Sequence, residues 1–180
     1  MNNHLRLAIQ YLQRGGVVAH ACEGVWGIAC DPWNEFAVDR VFSIKQRSKT
    51  QGLIVIAHDF NSFSFELSRL TDAESGRIKD SWPGHVTWLL PSTRFPEWIT
   101  GSHSTVAARV PGHLQARQLC EGFGGPLVST SANVSNEPAA KTAEQVASTI
   151  GHLVDMIVPG ATNGAGSASK IFNVEGDAIR

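Results

Sequence analysis

Between Arg40 and Lys49 the chain carries four cations, Arg40, Lys45, Arg47 and Lys49, and no carboxylate. Two readings are open. Cations gather in the last turn of a helix because they complement its dipole. A Lys point charge and an Arg fork at a helix–loop junction also converge well on phosphate oxygens. Lys45-Gln46-Arg47 stands where a helix is expected to end and a loop returns to a central strand. A second stretch, Pro126-Leu127-Val128-Ser129-Thr130-Ser131-Ala132-Asn133, runs from apolar residues into three hydroxyls and an amide. It is either an ordinary Ser/Asn turn or a set of donors and acceptors for a nucleotide's phosphate, ribose or base edge.

Arg109 ends the otherwise apolar run Val106-Ala107-Ala108-Arg109-Val110. A charge so placed is seldom left unpaired, so it sits in a structural ion pair or holds an anionic ligand. Gly160 to Lys170 is rich in glycine and serine but lacks the Walker spacing. The segment after it reads as a strand, which also excludes the dinucleotide fingerprint. It reads as a flexible loop or a lid. The seven histidines show no metal-ligand spacing, and there is no G-x-S-x-G nucleophile elbow.

The elements that must position these residues follow from periodicity and caps. A helix is expected over residues 3–14, with Leu5, Ala8, Ile9 and Leu12 on one face and Gly15-Gly16 as its stop. Residues 17–19 and 25–29 read as short buried strands. Asn34 caps a second helix that ends near Lys45. Residues 53–57, apolar without alternation, form the clearest central strand. Thr71 and Glu74 make a capping box for a helix toward Trp82, where Pro83-Gly84 breaks it. Strands over 86–90 and 106–110, a helix over 111–121 and a strand over 126–129 follow. Thr142 and Gln145 make a second capping box, for a helix ending at Gly151. Strands over 154–158 and 170–174 close the series. The alternation predicts an α/β fold, and the short 105–110 and 126–129 spacings predict a mixed sheet of parallel and antiparallel strands.

Composition bounds the rest. With 180 residues the chain fits one domain, residues 1–180. Apolar residues are 42% and charged residues 17%, too apolar for disorder. Fifteen Lys+Arg against sixteen Asp+Glu exclude a broadly basic nucleic-acid coat or a polybasic membrane anchor. No apolar run approaches the ~20 residues of a membrane span, and the first residues carry no secretory signal pattern. Three widely spaced cysteines suggest free thiols in a reducing compartment, and hence a cytoplasmic protein.

In order and spacing, several segments together resemble the YrdC-like family of threonylcarbamoyl-AMP synthases. They are residues 23–31, Lys45-Gln46-Arg47, residues 52–55, Trp82-Pro83-Gly84, residues 107–110, residues 126–133 and Val158-Pro159-Gly160. The resemblance spans nearly the whole chain. It implies a twisted mixed sheet with a large, concave, electropositive pocket. It implies a nucleotidyltransferase that combines L-threonine, bicarbonate and ATP, the last with Mg²⁺, into threonylcarbamoyl-adenylate and pyrophosphate. A separate transferase complex uses that product to modify tRNA next to the anticodon. The family's Lys-x-Arg and Ser-x-Asn motifs fall on Lys45, Arg47, Ser131 and Asn133 as nucleotide-binding residues, the first two also as catalytic. Cys22, Arg109, Ser129 and Ser169 are the expected contacts for the second substrate.

The chain departs from the family pattern in three places. Ala21-Cys22 stands where Pro-Thr is usual, Ile56 where many members have a His, and Ser48 where Pro is common. Two rival readings remain. One is a non-catalytic module that binds double-stranded RNA or tRNA directly through segment 40–49, against which the near-neutral charge counts. The other is the carbamoyl-transfer domain of a hydrogenase maturation factor, which carries zinc-finger Cys pairs that this chain lacks. Ending at Arg180, the chain resembles the short form of the synthases.

Overall fold

A computed structural model describes residues 2–179. Its elements in chain order are α1 (Asn3–Gln13), β1 (Val18–His20), β2 (Gly27–Cys30), α2 (Glu35–Lys45), β3 (Ile54–Ile56), α3 (Ser64–Leu67), α4 (Asp72–Ser81) and β4 (Val86–Pro91). They continue with α5 (Glu97–Thr100), β5 (Thr105–Arg109), α6 (Leu114–Phe123), β6 (Leu127–Ser131), α7 (Ala143–Thr149), β7 (Met156–Ile157) and β8 (Lys170–Asn173).

All eight strands join one mixed sheet in the order β7-β1-β2-β6-β3-β5-β4-β8. The short strands set this pattern, as expected. β6 runs antiparallel to both β2 and β3, while β5 pairs parallel to β3 and antiparallel to β4. Most boundaries shift by one to three residues from the sequence reading. The strand expected over 154–158 shrinks to Met156–Ile157, because Gly151–Leu153 continues as a 3₁₀ turn after α7. The helix expected from Pro111 begins at Leu114. α3 and α5, four residues each, carry too little periodicity to be seen in sequence.

The caps explain where the helices start. Asn2 accepts from Leu5 N, Asn34 from Ala37 N, and Thr71 and Glu74 form a complete capping box. At α7 only half of the second box forms. Thr142 accepts from Gln145 N, but the Gln145 side chain reaches Lys141 N at 2.7 Å instead of the cap residue.

Alternation along the strands divides the interior into two layers. Ile28, Cys30, Val55, Ala108 and Val128 pack with Ala37, Val38, Val41 and Phe42 of α2 on one face. Ala29, Ile56 and Leu127 pack on the other face under α1 and α6, against Leu5, Ala8, Ile9, Leu12, Ala116, Leu119 and Cys120. On that second face, half-buried Ile54, Ala107, Leu89 and Ile171 line a groove. By strand register Ser129, Ser131, Arg109 and Thr87 lie on this face too.

Candidate active site

A cavity opens on the second face, lined by residues from β2, β3, β5 and β6 and from four loops. Cys22, Arg47, Arg109, Ser129, Ser131 and Ser169 all line it. Six of the eight residues singled out in sequence therefore meet at one place. Lys45 and Asn133 do not line it but are buried at its edge.

Lys45 and Arg47 part company at Gln46. Gln46 is left-handed, with φ 48°, and closes α2 as its N–H bonds back to Phe42 O and Ser43 O. The next amide, Arg47 N, also reaches Phe42 O, at 3.2 Å. This Schellman-type closure turns the chain sharply between the two cations. Lys45 runs inward from the last turn of α2, and Arg47 leaves the helix for the cavity wall. The other two cations of the cluster face outward, Arg40 to Asp155 at 2.8 Å and Lys49 to Asp39 at 2.5 Å. Of the four cations, Arg40 and Lys49 are thus engaged in surface ion pairs.

The Lys45 ammonium donates to Ser131 O at 2.7 Å, Ser131 Oγ at 3.1 Å and Asn133 Oδ1 at 2.6 Å. Three protons meet three acceptors, so the lysine ties the end of β6 to the turn that follows. Asn133 Nδ2 extends the knot to Glu137 O at 2.5 Å. Burial, and then the Arg47 charge, lowers the Lys45 pKa to about 8, which leaves the ammonium protonated at neutral pH. Lys45 of the Lys-x-Arg motif and Ser131 and Asn133 of the Ser-x-Asn motif thus form one hydrogen-bonded unit.

Of its two readings, Arg109 takes the structural ion pair, and it lines the cavity as well. Its guanidinium pairs with the Glu23 carboxylate, and Nε donates to Gly84 O at 2.9 Å, yet the residue lines the cavity. Glu23 Oε1 also accepts from Gly112 N at 2.6 Å, and Oε2 accepts from Cys22 Sγ at 2.8 Å. Burial alone would raise the Glu23 pKa. Arg109, then the thiol and the backbone donors, outweigh it and hold the carboxyl below its ordinary value. The Cys22 thiol is pushed up to about 12, chiefly by burial. A thiol held so far from ionisation is no nucleophile.

The Gly160–Lys170 loop lies against the cavity. Ala165 N donates to Glu23 O at 3.2 Å, and Thr87 Oγ1 shares a 2.8 Å hydrogen bond with Ser169 Oγ. Gly24 is required here, since a Cβ would fall 1.8 Å from Ser167 O.

Two histidines were missed in sequence. His85 lines the cavity, and burial, then Arg109, lowers its pKa. His20, fully buried at the end of β1, bonds to Ser129 Oγ at 3.0 Å. A titratable residue ending an apolar strand was the signal available, the same one that picked out Arg109.

Residues 10–180 match the Sua5/YciO/YrdC family model, described as "Telomere recombination". The chain belongs to the Sua5/YciO/YrdC family. It is 42% identical to a threonylcarbamoyl-AMP synthase of Marinobacter nauticus over 94% of this chain and 90% of that protein. It is 43% identical to one from Pseudomonas aeruginosa over 96% of this chain and 94% of that protein. Among solved structures, P. abyssi Sua5 complexed with L-threonine superposes with a TM-score of 0.88 at 30% identity. That match covers 94% of this chain and half of the Sua5 chain. E. coli YciO shares the fold, with a TM-score of 0.78 at 20% identity over 97% of this chain and 89% of that one. The mixed α/β sheet expected from the sequence is the family's fold.

Proposed function

We propose that this chain is a threonylcarbamoyl-AMP synthase, converting L-threonine, bicarbonate and ATP into threonylcarbamoyl-adenylate and pyrophosphate. The observation that carries the reading is the convergence of Arg47, Ser131, Arg109 and Ser129 on one cavity, backed by the Lys45–Ser131–Asn133 knot. This convergence occurs in a chain more than 40% identical to proteins named for that activity over nearly its whole length.

In the reaction the threonine amine adds to CO₂ or bicarbonate to give a carbamate. A carbamate oxygen then attacks the α-phosphorus of ATP, and pyrophosphate leaves. No covalent enzyme intermediate is needed, so the protein's work is orientation and charge compensation. Arg47 holds phosphate oxygens of MgATP from the cavity wall. Lys45 adds its charge from behind and fixes Ser131 and Asn133 against the nucleotide. Arg109, already neutralised on one side by Glu23, turns its remaining edge to an anion, the threonine carboxylate or a phosphate. Cys22, Ser129 and Ser169 contact the amino acid. A single domain spanning residues 1–180 would act in the cytoplasm. There its product passes to a transferase complex that modifies tRNA.

The test is incubation with labelled threonine, bicarbonate and MgATP. Pyrophosphate release dependent on both threonine and bicarbonate, with a labelled adenylate, is expected. Nucleotide turnover indifferent to threonine would refute the reading.

A further inference from the structure

His20 stands on β1 and Ser129 on β6, with β2 between them in the sheet. The imidazole reaches its partner by crossing β2 at Gly27, which pairs with His20 in register. A Cβ on Gly27 would lie 2.9 Å from Ser129 Oγ and 3.0 Å from His20 Nε2. Glycine therefore opens the passage that the His20–Ser129 contact uses.

The direction of this contact follows from valence. His20 Nδ1 lies 3.0 Å from Ala21 O, a carbonyl that only accepts, so Nδ1 carries the proton. Burial lowers the His20 pKa to about 4, so the ring is neutral and has one proton only. Nε2 is then a bare acceptor, and the hydroxyl 3.0 Å away must donate to it. Ser129, which lines the cavity, has already committed its proton. It offers the cavity lone pairs alone.

We infer that His20 is a positioning residue that makes Ser129 an acceptor-only contact for the N–H of the amino-acid nitrogen that becomes carbamoylated. This rests on the synthase reading above. The neighbouring wall groups Arg47 and Arg109 are donors suited to phosphate and carboxylate, whereas the substrate's own N–H needs an acceptor, and Ser129 is held as one. An amine whose N–H points at Ser129 presents its lone pair elsewhere, toward the carbon it must attack. After the carbamate forms, the nitrogen's lone pair is delocalised and its remaining N–H still matches an acceptor. His20 does not line the cavity and acts only through Ser129.

The experiment combines kinetics with imidazole spectroscopy. Wild-type turnover is measured first; its absence overturns the synthase reading and with it the assignment of the amine. Given turnover, His20→Leu should raise the threonine KM about threefold to tenfold, the worth of one neutral hydrogen bond, with the ATP KM within twofold of wild type. His20→Gln, whose amide oxygen can take the place of Nε2, should recover most of the loss. Ser129→Ala should match His20→Leu, and the double variant should be no worse than either single one. In ¹⁵N-histidine spectra of the wild-type protein, His20 should show the proton on Nδ1. Equal shifts in both KM values, additive losses, no recovery with Gln, or a proton on Nε2 would each overturn the role. The spectrum and Ser129→Ala decide the matter even where His20→Leu fails to fold.

Discussion

Replacing Asn133 by Ala should cost stability as well as activity, although a turn residue read from sequence carries little packing. Asn133 is buried, and its amide makes two contacts in opposite directions. Oδ1 accepts from the Lys45 ammonium at 2.6 Å, and Nδ2 donates to Glu137 O at 2.5 Å. A charge-assisted hydrogen bond is worth about 1.5–3 kcal/mol and a neutral one about 0.5–1.5 kcal/mol, so the pair amounts to about 2–4.5 kcal/mol. The loss also strands one proton of an ammonium already taken out of water. At about 2–4 °C per kcal/mol for a chain of this size, a 3 kcal/mol loss lowers Tm by about 6–12 °C. Ser131→Ala supplies the internal comparison. It removes only the 3.1 Å acceptor Oγ, while Ser131 O at 2.7 Å remains, and should cost about 1.5 kcal/mol, the low end for a charge-assisted bond. Urea unfolding followed by tryptophan fluorescence gives both midpoints. If Asn133→Ala lies within 0.5 kcal/mol of wild type, or no lower than Ser131→Ala, the knot does not hold the turn and the reasoning fails.

Four further outcomes follow from the titratable groups. With Lys45 titrating near pH 8, MgATP affinity should hold steady up to about pH 7.5 and fall above it, and Lys45→Met should abolish that fall. Because the folded-state pKa lies below the unfolded 10.5, the folded state binds fewer protons between about pH 8 and 10.5. Stability relative to Lys45→Met should therefore rise across that window, and denaturation midpoints at several pH values test the sign. Glu23→Gln leaves Arg109 buried without its charge partner and should cost about 3–5 kcal/mol in unfolding experiments. Since the Glu23 pKa is depressed, its contribution is present above the unfolded pKa and lost as pH falls through the folded one. Finally, Cys22, Cys30 and Cys120 are buried with raised pKa values, so iodoacetamide at pH 8 should modify the native protein far more slowly than the unfolded one.

Which parts of this site could be read beforehand depends on how far apart in the chain the deciding groups lie. Ser129 and Ser131 share a face because β6 runs on to Ser131 and a strand repeats every two residues; the sequence reading ends the strand at residue 129, because the hydroxyls that follow read as a turn. The same two-residue spacing in Lys45 and Arg47 would send them to different sides of a continuing helix. Lys45 meets Ser131 while Arg47 reaches the cavity wall because Gln46 takes a left-handed conformation, and nothing in a glutamine signals that. Arg109 was open between two roles because its partner Glu23 comes from a distant segment, and only the folded sheet shows that pairing and cavity lining coexist. His20 lies furthest from local rules. Its role depends on β6 being inserted next to β2, on the register that sets Gly27 beside His20, and on the missing side chain at Gly27. Each of those residues is unremarkable alone, since a histidine, a glycine and a serine from three separated segments carry no common motif. Long-range strand order brings them within hydrogen-bond reach. The orientation of the Ser129 hydroxyl is therefore set by β1, two strands away, and a substitution at Gly27 should perturb it as surely as one at the serine itself.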